Sequence, residues 1–338
     1  MRAAVLYQDG IKCSEVQEPS IQDCYVKVKV AYCGICGSDL PRVLNGKAHH
    51  YPIILGHEFT GVITETGKNV DNVVINDRIV CVPLMPCFEC ENCSKGLFSL
   101  CNNYRFIGSR VDGGYGEYVC IPAKNVLKIP DTLDLKDAAT IEPCTVARHA
   151  FELTSVKNRK VAIIGSGIIG LYAVQWSKKK GASSTVLVTH GNKEMKTDEV
   201  MADIIISDEN IQNVKADVII DCAGTNDSLI ESMAMANPRG SVILVGTPKN
   251  SVTFSVKEWE IINRKELSVI GSWMSYSGTF PGTEWEDTIQ SLKDGSIKIV
   301  KHMIDEIVDI EDVSQTFERM RDRKSRGRIL LALDKKLQ

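Results

Sequence analysis

Four cysteines fall between positions 87 and 101, spaced Cys87-x2-Cys90-x2-Cys93-x7-Cys101. Thiolates this close can surround one tetrahedral metal, and four of them leave no open coordination position, so a structural zinc is expected. An iron–sulfur cluster uses the same donor set. Two disulfides are the third possibility. They are disfavoured by the reading of the chain as cytoplasmic, because Met1-Arg2-Ala3-Ala4-Val5-Leu6 runs directly into strand-like sequence without the layout of a secretory leader. The enclosed stretch Phe88-Glu89-Cys90-Glu91-Asn92 has little apolar content, so a metal is what would hold it in shape.

A second set of donors is scattered. Cys36 lies in Gly34-Ile35-Cys36-Gly37-Ser38-Asp39, His57 in Gly56-His57-Glu58, and Glu142 in Ile141-Glu142-Pro143. A cysteine, a histidine and a carboxylate from separate segments can converge on a catalytic zinc and leave one position open. Each alone is as easily a packed or surface residue. Their weight comes from occurring together with the four-cysteine segment and with a glycine loop.

That loop is Gly165-Ser166-Gly167-Ile168-Ile169-Gly170, directly after the apolar run Val161-Ala162-Ile163-Ile164 and before the helical texture of 171–180. The glycines permit a tight turn, close approach of a pyrophosphate and close helix–strand packing. The helix N-terminus offers free N–H groups to the anion. The strand–turn–helix context is the one a Rossmann-type dinucleotide site requires. The acidic residue that normally follows some 20 positions on and binds the ribose of NAD is missing; the second strand ends Val188-Thr189-His190-Gly191-Asn192-Lys193. Thr189, His190 and Lys193 can accept a 2′-phosphate, which leans the expectation from NAD toward NADP.

These motifs need elements to hold them. The chain has 338 residues, more than one hydrophobic core usually serves, so two domains are expected. Residues 1 to about 130 read as β-rich, with alternation in Tyr25-Val26-Lys27-Val28-Lys29-Val30 and in Arg78-Ile79-Val80-Cys81-Val82. From Lys160, short apolar runs at 161–164, 186–188, 218–220 and 242–245 alternate with helical texture, the pattern of a doubly wound parallel sheet. The stretch 192–206 is short for a full helix. A net charge of −3 suggests neither nucleic acid nor a membrane surface as partner, and no apolar run is long enough to span a bilayer.

Taken in order, Gly-Ile-Cys-Gly-Ser-Asp (34–39), Gly-His-Glu (56–58), Asn-Asp-Arg-Ile-Val (76–80), the four cysteines, Asp-Gly-Gly-Tyr-Gly-Glu-Tyr (112–118), Glu-Pro (142–143) and the glycine loop resemble the zinc-containing medium-chain dehydrogenase/reductase family over nearly the whole chain. More specific stretches are similar to its galactitol-phosphate dehydrogenase branch: residues 36–42, 81–88, 106–110, and 264–267 leading to 270–274. The resemblance implies a GroES-like catalytic domain from 1–144 and 275–338 and a cofactor domain from 145–274, with the active site in the cleft between them. It implies Cys36 and His57 as catalytic zinc ligands, with Glu142 bound directly or through water and Glu58 able to replace water. Ser38 would pass the substrate proton outward, Asp39 would orient His57, and Arg328 would sit on the cofactor phosphates. Asn76 stands where the family usually has glycine, a substitution a left-handed turn tolerates.

The expected activity is hydride transfer between a secondary alcohol of a sugar-alcohol phosphate and NAD or NADP, giving a ketose phosphate. A phosphate needs a cation, and Arg42 and Arg110 are the candidates. Trp273 and Tyr276 are candidates to line the substrate site. The enzyme is expected to be a homodimer or homotetramer with two zinc ions per subunit. Rival readings are a sorbitol, threonine or arabitol-phosphate dehydrogenase, a non-catalytic nucleotide-binding regulator, and a zinc hydrolase. Joint retention of Cys36, Ser38, His57 and Glu142 argues against the regulator, and the glycine loop against the hydrolase.

Overall fold

The strand Tyr25–Gly34 organises the first half of the protein. Val26, Val28 and Val30 alternate with Lys27 and Lys29 and are fully buried, which puts one face of the strand into a core, each valine contributing roughly 1.5–3 kcal/mol. The computed structural model describes residues 1–190, 195–322 and 327–337. It divides into two units by contact: Met1–Glu142 with Tyr276–Lys293 and Ile304–Gln338, and Pro143–Ser275 with Asp294–Met303.

In the first unit, Tyr25–Gly34 pairs antiparallel with Glu58–Thr66, Tyr118–Pro122 and Arg328–Ala332. The sheet continues through Arg78–Cys81 to Val126–Lys128 on one side, and through Arg328–Ala332 to Ile304–Asp309 on the other. The last pair is parallel, joined by the helix Val313–Arg321. A smaller sheet of Arg2–Tyr7, Gly10–Glu15 and Ile53–Ile54 packs into the same core. Asn76 adopts φ 73°, the left-handed turn expected of it.

The second unit carries a six-stranded, all-parallel sheet in the order Ile204–Ser207, Ser184–Thr189, Lys160–Ile164, Ala216–Asp221, Ala236–Leu244, Ser268–Gly271. This is the doubly wound arrangement expected from the apolar runs. The direction of winding reverses between Lys160–Ile164 and Ala216–Asp221, and the carboxyl ends of strands at such a reversal are where doubly wound sheets bind ligands. After Ser184–Thr189 the described chain has only a single helical turn, Thr197–Val200, before the next strand.

Residues 294–303, expected with the first region, make their contacts in the second unit. The reason is local: Gln175 donates to the Lys298 carbonyl at 2.9 Å and accepts from the Lys298 N–H at 2.8 Å. No helix among the described residues is long and apolar enough to cross a membrane.

Candidate active site and metal centres

The register of two strands builds the first centre. Gly34 lies opposite Glu58 and Cys33 opposite Phe59, so the ends of Tyr25–Gly34 and Glu58–Thr66 bring the 35–39 loop beside His57 and Glu58. Gly34 leaves room for this carboxylate, since a Cβ there would stand 2.4 Å from Glu58 Oε2 and push it aside. Cys36 Sγ, a His57 ring nitrogen and a Glu58 oxygen all lie within 4.8 Å of one another. His57 and Glu58 are buried, and His57 Nδ1 and both Glu58 oxygens find no hydrogen-bond partner among the described residues.

Glu142 is buried beside this group. Burial first, then the negative charge of Glu58 and Cys36, raise its pKa, against the opposing effect of His57 and Arg328. Cys36 is raised by burial and then by Glu58. A thiol, a carboxyl and an imidazole this close together fit a divalent cation, which would satisfy the orphaned atoms of His57 and Glu58, with Glu142 as a further carboxyl acting on the group.

The surroundings hold these donors in place. Ser38 Oγ donates to Cys36 Sγ at 3.2 Å. Asp39, fully buried, accepts from the Tyr115 hydroxyl at 2.9 Å and from Arg42 Nη1 at 3.2 Å. It faces His57 Nδ1 at 4.0 Å, longer than the hydrogen bond an orienting carboxylate makes. Arg328, expected on the cofactor phosphates, has its Nε 3.0 Å from Glu58 Oε2 and donates from Nη1 to the Ile35 carbonyl at 2.7 Å. Burial alone would lower its pKa, but Glu58, Cys36 and Glu142 outweigh that and raise it, so the guanidinium stays charged.

The second centre is the four-cysteine lobe. Its sulfurs all lie within 4.8 Å of one another. Cys87–Cys93 and Cys90–Cys101 are 3.9 Å apart and Cys87–Cys101 3.4 Å. A disulfide needs about 2.05 Å, whereas four zinc–sulfur bonds of about 2.3 Å separate the sulfurs by about 3.8 Å. N–H groups of Asn102 and Cys93 lower the Cys90 pKa, favouring the thiolate, while burial raises that of Cys93. Phe88 and Phe98 pack edge-on against Phe280 at 5.4 and 5.7 Å, and Phe280 stacks on Tyr276 at 5.9 Å, docking the lobe onto residues 276–285.

In the second unit, Gly165 has φ +107°, and a Cβ on Gly170 would stand 1.8 Å from the Gly165 carbonyl oxygen. A Cβ on Gly167, the residue before the helix Ile168–Lys179, would meet nothing within 4 Å. Gly165 is therefore required by its backbone conformation and Gly170 by packing, and the middle glycine leaves room above the helix N-terminus for a phosphate group. Ile168 is buried and Ile169 half-buried. Thr189 is buried with its hydroxyl 3.5 Å from the Ile206 carbonyl, and His190 is exposed. Lys193 lies outside the described residues.

Residues 22–131 match the family described as alcohol dehydrogenase GroES-like domain, and residues 169–293 match zinc-binding dehydrogenase. The chain is 39% identical over 314 residues to galactitol 1-phosphate 5-dehydrogenase of Escherichia coli (strain K12), covering 88% of this chain and 90% of the relative. The chain belongs to the zinc-containing medium-chain dehydrogenase family. The crystal structure of galactitol-1-phosphate dehydrogenase from Escherichia coli superposes with a TM-score of 0.92 at 36% identity, covering 98% of this chain and 100% of that one. Sorbitol dehydrogenase of Bacillus subtilis is 31% identical, covering 94% and 93%. A zinc-binding dehydrogenase from Sinorhizobium meliloti, bound to NADP, has a TM-score of 0.86 at 28% identity, covering 98% of both chains.

This dehydrogenase is an oxidoreductase of the zinc-type alcohol and polyol class. Several residues that shape its sites had no role assigned from sequence. Tyr115 sits inside the 112–118 motif, but nothing in the motif says that its hydroxyl holds Asp39. Asp221 ends the strand beside the glycine loop and is fully buried. It accepts from the N–H groups of Ala223 and Gly224 and from the Ser228 hydroxyl, which fixes the loop against Gly165.

Tyr276 is a core residue of the dehydrogenase, with its hydroxyl accepting from the Leu84 N–H at 3.1 Å. Trp273 is half exposed. Arg42 donates to the Ser38 carbonyl at 2.6 Å, and Arg110 stacks over the Tyr104 ring at 4.5 Å.

Proposed function

We propose that the chain oxidises a secondary alcohol of a sugar-alcohol phosphate, of the galactitol 1-phosphate type, with NAD or NADP as hydride acceptor. The observation that carries the reading is the convergence of Cys36, His57 and Glu58, whose ligand atoms lie within 4.8 Å of one another with His57 and Glu58 buried, and Cys36 shares its loop with an exposed Ser38. The likeness to galactitol 1-phosphate 5-dehydrogenase supports the substrate class.

Cys36 and His57 would hold a zinc ion with Glu142 or Glu58 as the carboxylate, and a bound zinc supplies Lewis acidity toward the substrate oxygen. Ser38 takes the hydroxyl proton and hands it outward to solvent. Asp39, held by Tyr115 and Arg42, keeps negative charge on the Nδ1 side of His57 and so favours the tautomer with its proton there. Arg328, its Nε 3.0 Å from Glu58 Oε2, holds that carboxylate in place. Cys87, Cys90, Cys93 and Cys101 would hold a second, structural zinc.

Gly165, Gly167, Ile168, Ile169 and Gly170 would receive the cofactor pyrophosphate, and a bound cofactor would supply the hydride acceptor. The absence of a carboxylate at Thr189, and the exposed His190, lean the preference toward NADP. Arg42 and Arg110 would face the substrate phosphate. The enzyme is proposed to work in the cytoplasm as a homodimer or homotetramer.

Steady-state reduction of NAD and of NADP across polyols and their phosphates, on protein of measured zinc content, tests the reading. Turnover of galactitol 1-phosphate or a related phosphate, with its dephosphorylated form a poor substrate, is expected. Turnover of unphosphorylated polyols alone would move the chain to a sorbitol-type reading. No turnover by zinc-loaded protein would leave the regulator.

A further inference from the structure

Asp39 stands immediately before the helix Leu40–Leu44, a position from which an aspartate ordinarily accepts from the first free N–H groups of the helix. Here it makes no side-chain cap bond. Its carboxylate is fully buried and turned inward, where Oδ2 accepts from the Tyr115 hydroxyl at 2.9 Å and Oδ1 lies 4.0 Å from His57 Nδ1. The side chain that closes this turn from outside is Arg42.

Arg42 lies three positions beyond Asp39 and four beyond Ser38, the spacing at which a helical side chain reaches back over the preceding turn. Its Nη1 donates to the Ser38 carbonyl at 2.6 Å, to Ser38 Oγ at 3.2 Å and to Asp39 Oδ1 at 3.2 Å. One nitrogen therefore ties an exposed hydroxyl to a buried carboxylate. The Asp39 oxygen anchors the guanidinium, and the guanidinium anchors the serine.

A serine oxygen has one proton and two lone pairs. Ser38 Oγ donates to Cys36 Sγ at 3.2 Å, and one lone pair faces Arg42. The other is left for the hydroxyl of an incoming alcohol. Without the arginine, an exposed serine turns among three staggered rotamers. A charge-assisted bond from a half-buried guanidinium selects one of them.

We infer that Arg42 is a positioning residue for Ser38, holding its hydroxyl in one rotamer with the buried Asp39 as anchor. The inference rests on the dehydrogenase reading in which Ser38 takes the substrate proton. It is independent of the substrate phosphate, which would meet Nε and Nη2.

The test is a double-mutant cycle of Ser38→Ala and Arg42→Met, with Arg42→Lys beside it. The readings are kcat and KM for galactitol 1-phosphate and for galactitol, on protein of measured zinc content and Tm. Ser38→Ala should lower kcat about 100-fold, the lower end of what a proton acceptor supplies, and Arg42→Met about tenfold on both substrates. In Ser38→Ala protein the arginine change should alter kcat less than about twofold, because the group it positions is gone. Arg42→Lys should restore most of the loss, since an ammonium can donate to the same oxygens. Arg42→Gln repeats the cycle if Arg42→Met loses zinc or Tm. Losses that multiply across the cycle, or full kcat without the arginine, would overturn the inference and leave the function standing. An effect confined to KM for the phosphate ester would overturn it as well and assign Arg42 to the phosphate alone. Wild-type kcat in Ser38→Ala protein, or a wild type inactive on both substrates, would remove the inference together with the reading it rests on.

Discussion

Gly34 and Arg328 are the two residues on which Glu58 depends. Gly34→Ala puts a methyl group where Glu58 Oε2 lies 2.4 Å away, so the carboxylate has to move. Displacements of this size beside a catalytic group cost up to about 100-fold in rate; we expect at least a tenfold fall in kcat/KM with little loss of stability. Retained activity in a folded Gly34→Ala protein would show that Glu58 has freedom the packing denies it. Arg328→Met removes the one cation within ion-pairing distance of Glu58 among the described residues. Leaving a buried carboxylate unpaired costs about 3–5 kcal/mol, so the urea midpoint should drop by that equivalent, and Arg328→Lys should recover part of it. An unchanged midpoint would mean that Glu58 does not depend on Arg328.

The lobe from Cys87 to Cys101 is the element least able to hold itself together. It has a four-residue helix, Glu91–Ser94, and its apolar contacts reach outward through Phe88 and Phe98 to Phe280. Cys93→Ser should lower the zinc content by one equivalent per chain and lower Tm, because a structural metal contributes directly to folding. Mild chelation should release that metal with loss of the lobe's protease resistance. Full zinc content in Cys93→Ser protein would disprove the assignment of four thiolates to one ion. The glycine loop is self-supporting in contrast: its close contacts are backbone to backbone, at Gly165 and Gly170, and Asp221 braces it from the neighbouring strand.

Across the whole molecule, carboxylates hydrogen-bonded in the native state set the acid limit of stability. Asp217 accepts from Asn237 and from the Lys160 N–H, which hold its pKa below the ordinary value. At Asp77 and Asp334 burial acts upward, but Lys128 and Lys29 outweigh it and both are lowered. A lowered folded pKa contributes stability that is present above the unfolded value and lost as pH falls through the folded one. Tm should therefore be flat on these groups' account above about pH 5 and fall below about pH 4. Asp217→Asn should make that fall shallower. A wild-type Tm that holds to pH 3, or a variant with the same profile, would refute it.

The features legible in the sequence are those whose partners are close along the chain or repeat with a fixed period. The four cysteines span 87 to 101, the glycine loop joins one strand to one helix, and the apolar runs of the parallel sheet each declare themselves. Such signals determined the fold class, the family and the two candidate centres. Residues 191–194 aside, the rest required tertiary structure. The pairing of Gly34 with Glu58, of Tyr115 with Asp39 across 76 positions, and of Arg328 with Ile35 across 293 follows from strand register and burial. A side chain's partner across a sheet depends on register and on which polar atoms are denied water. Neither is written in local spacing, so only the folded chain decided them.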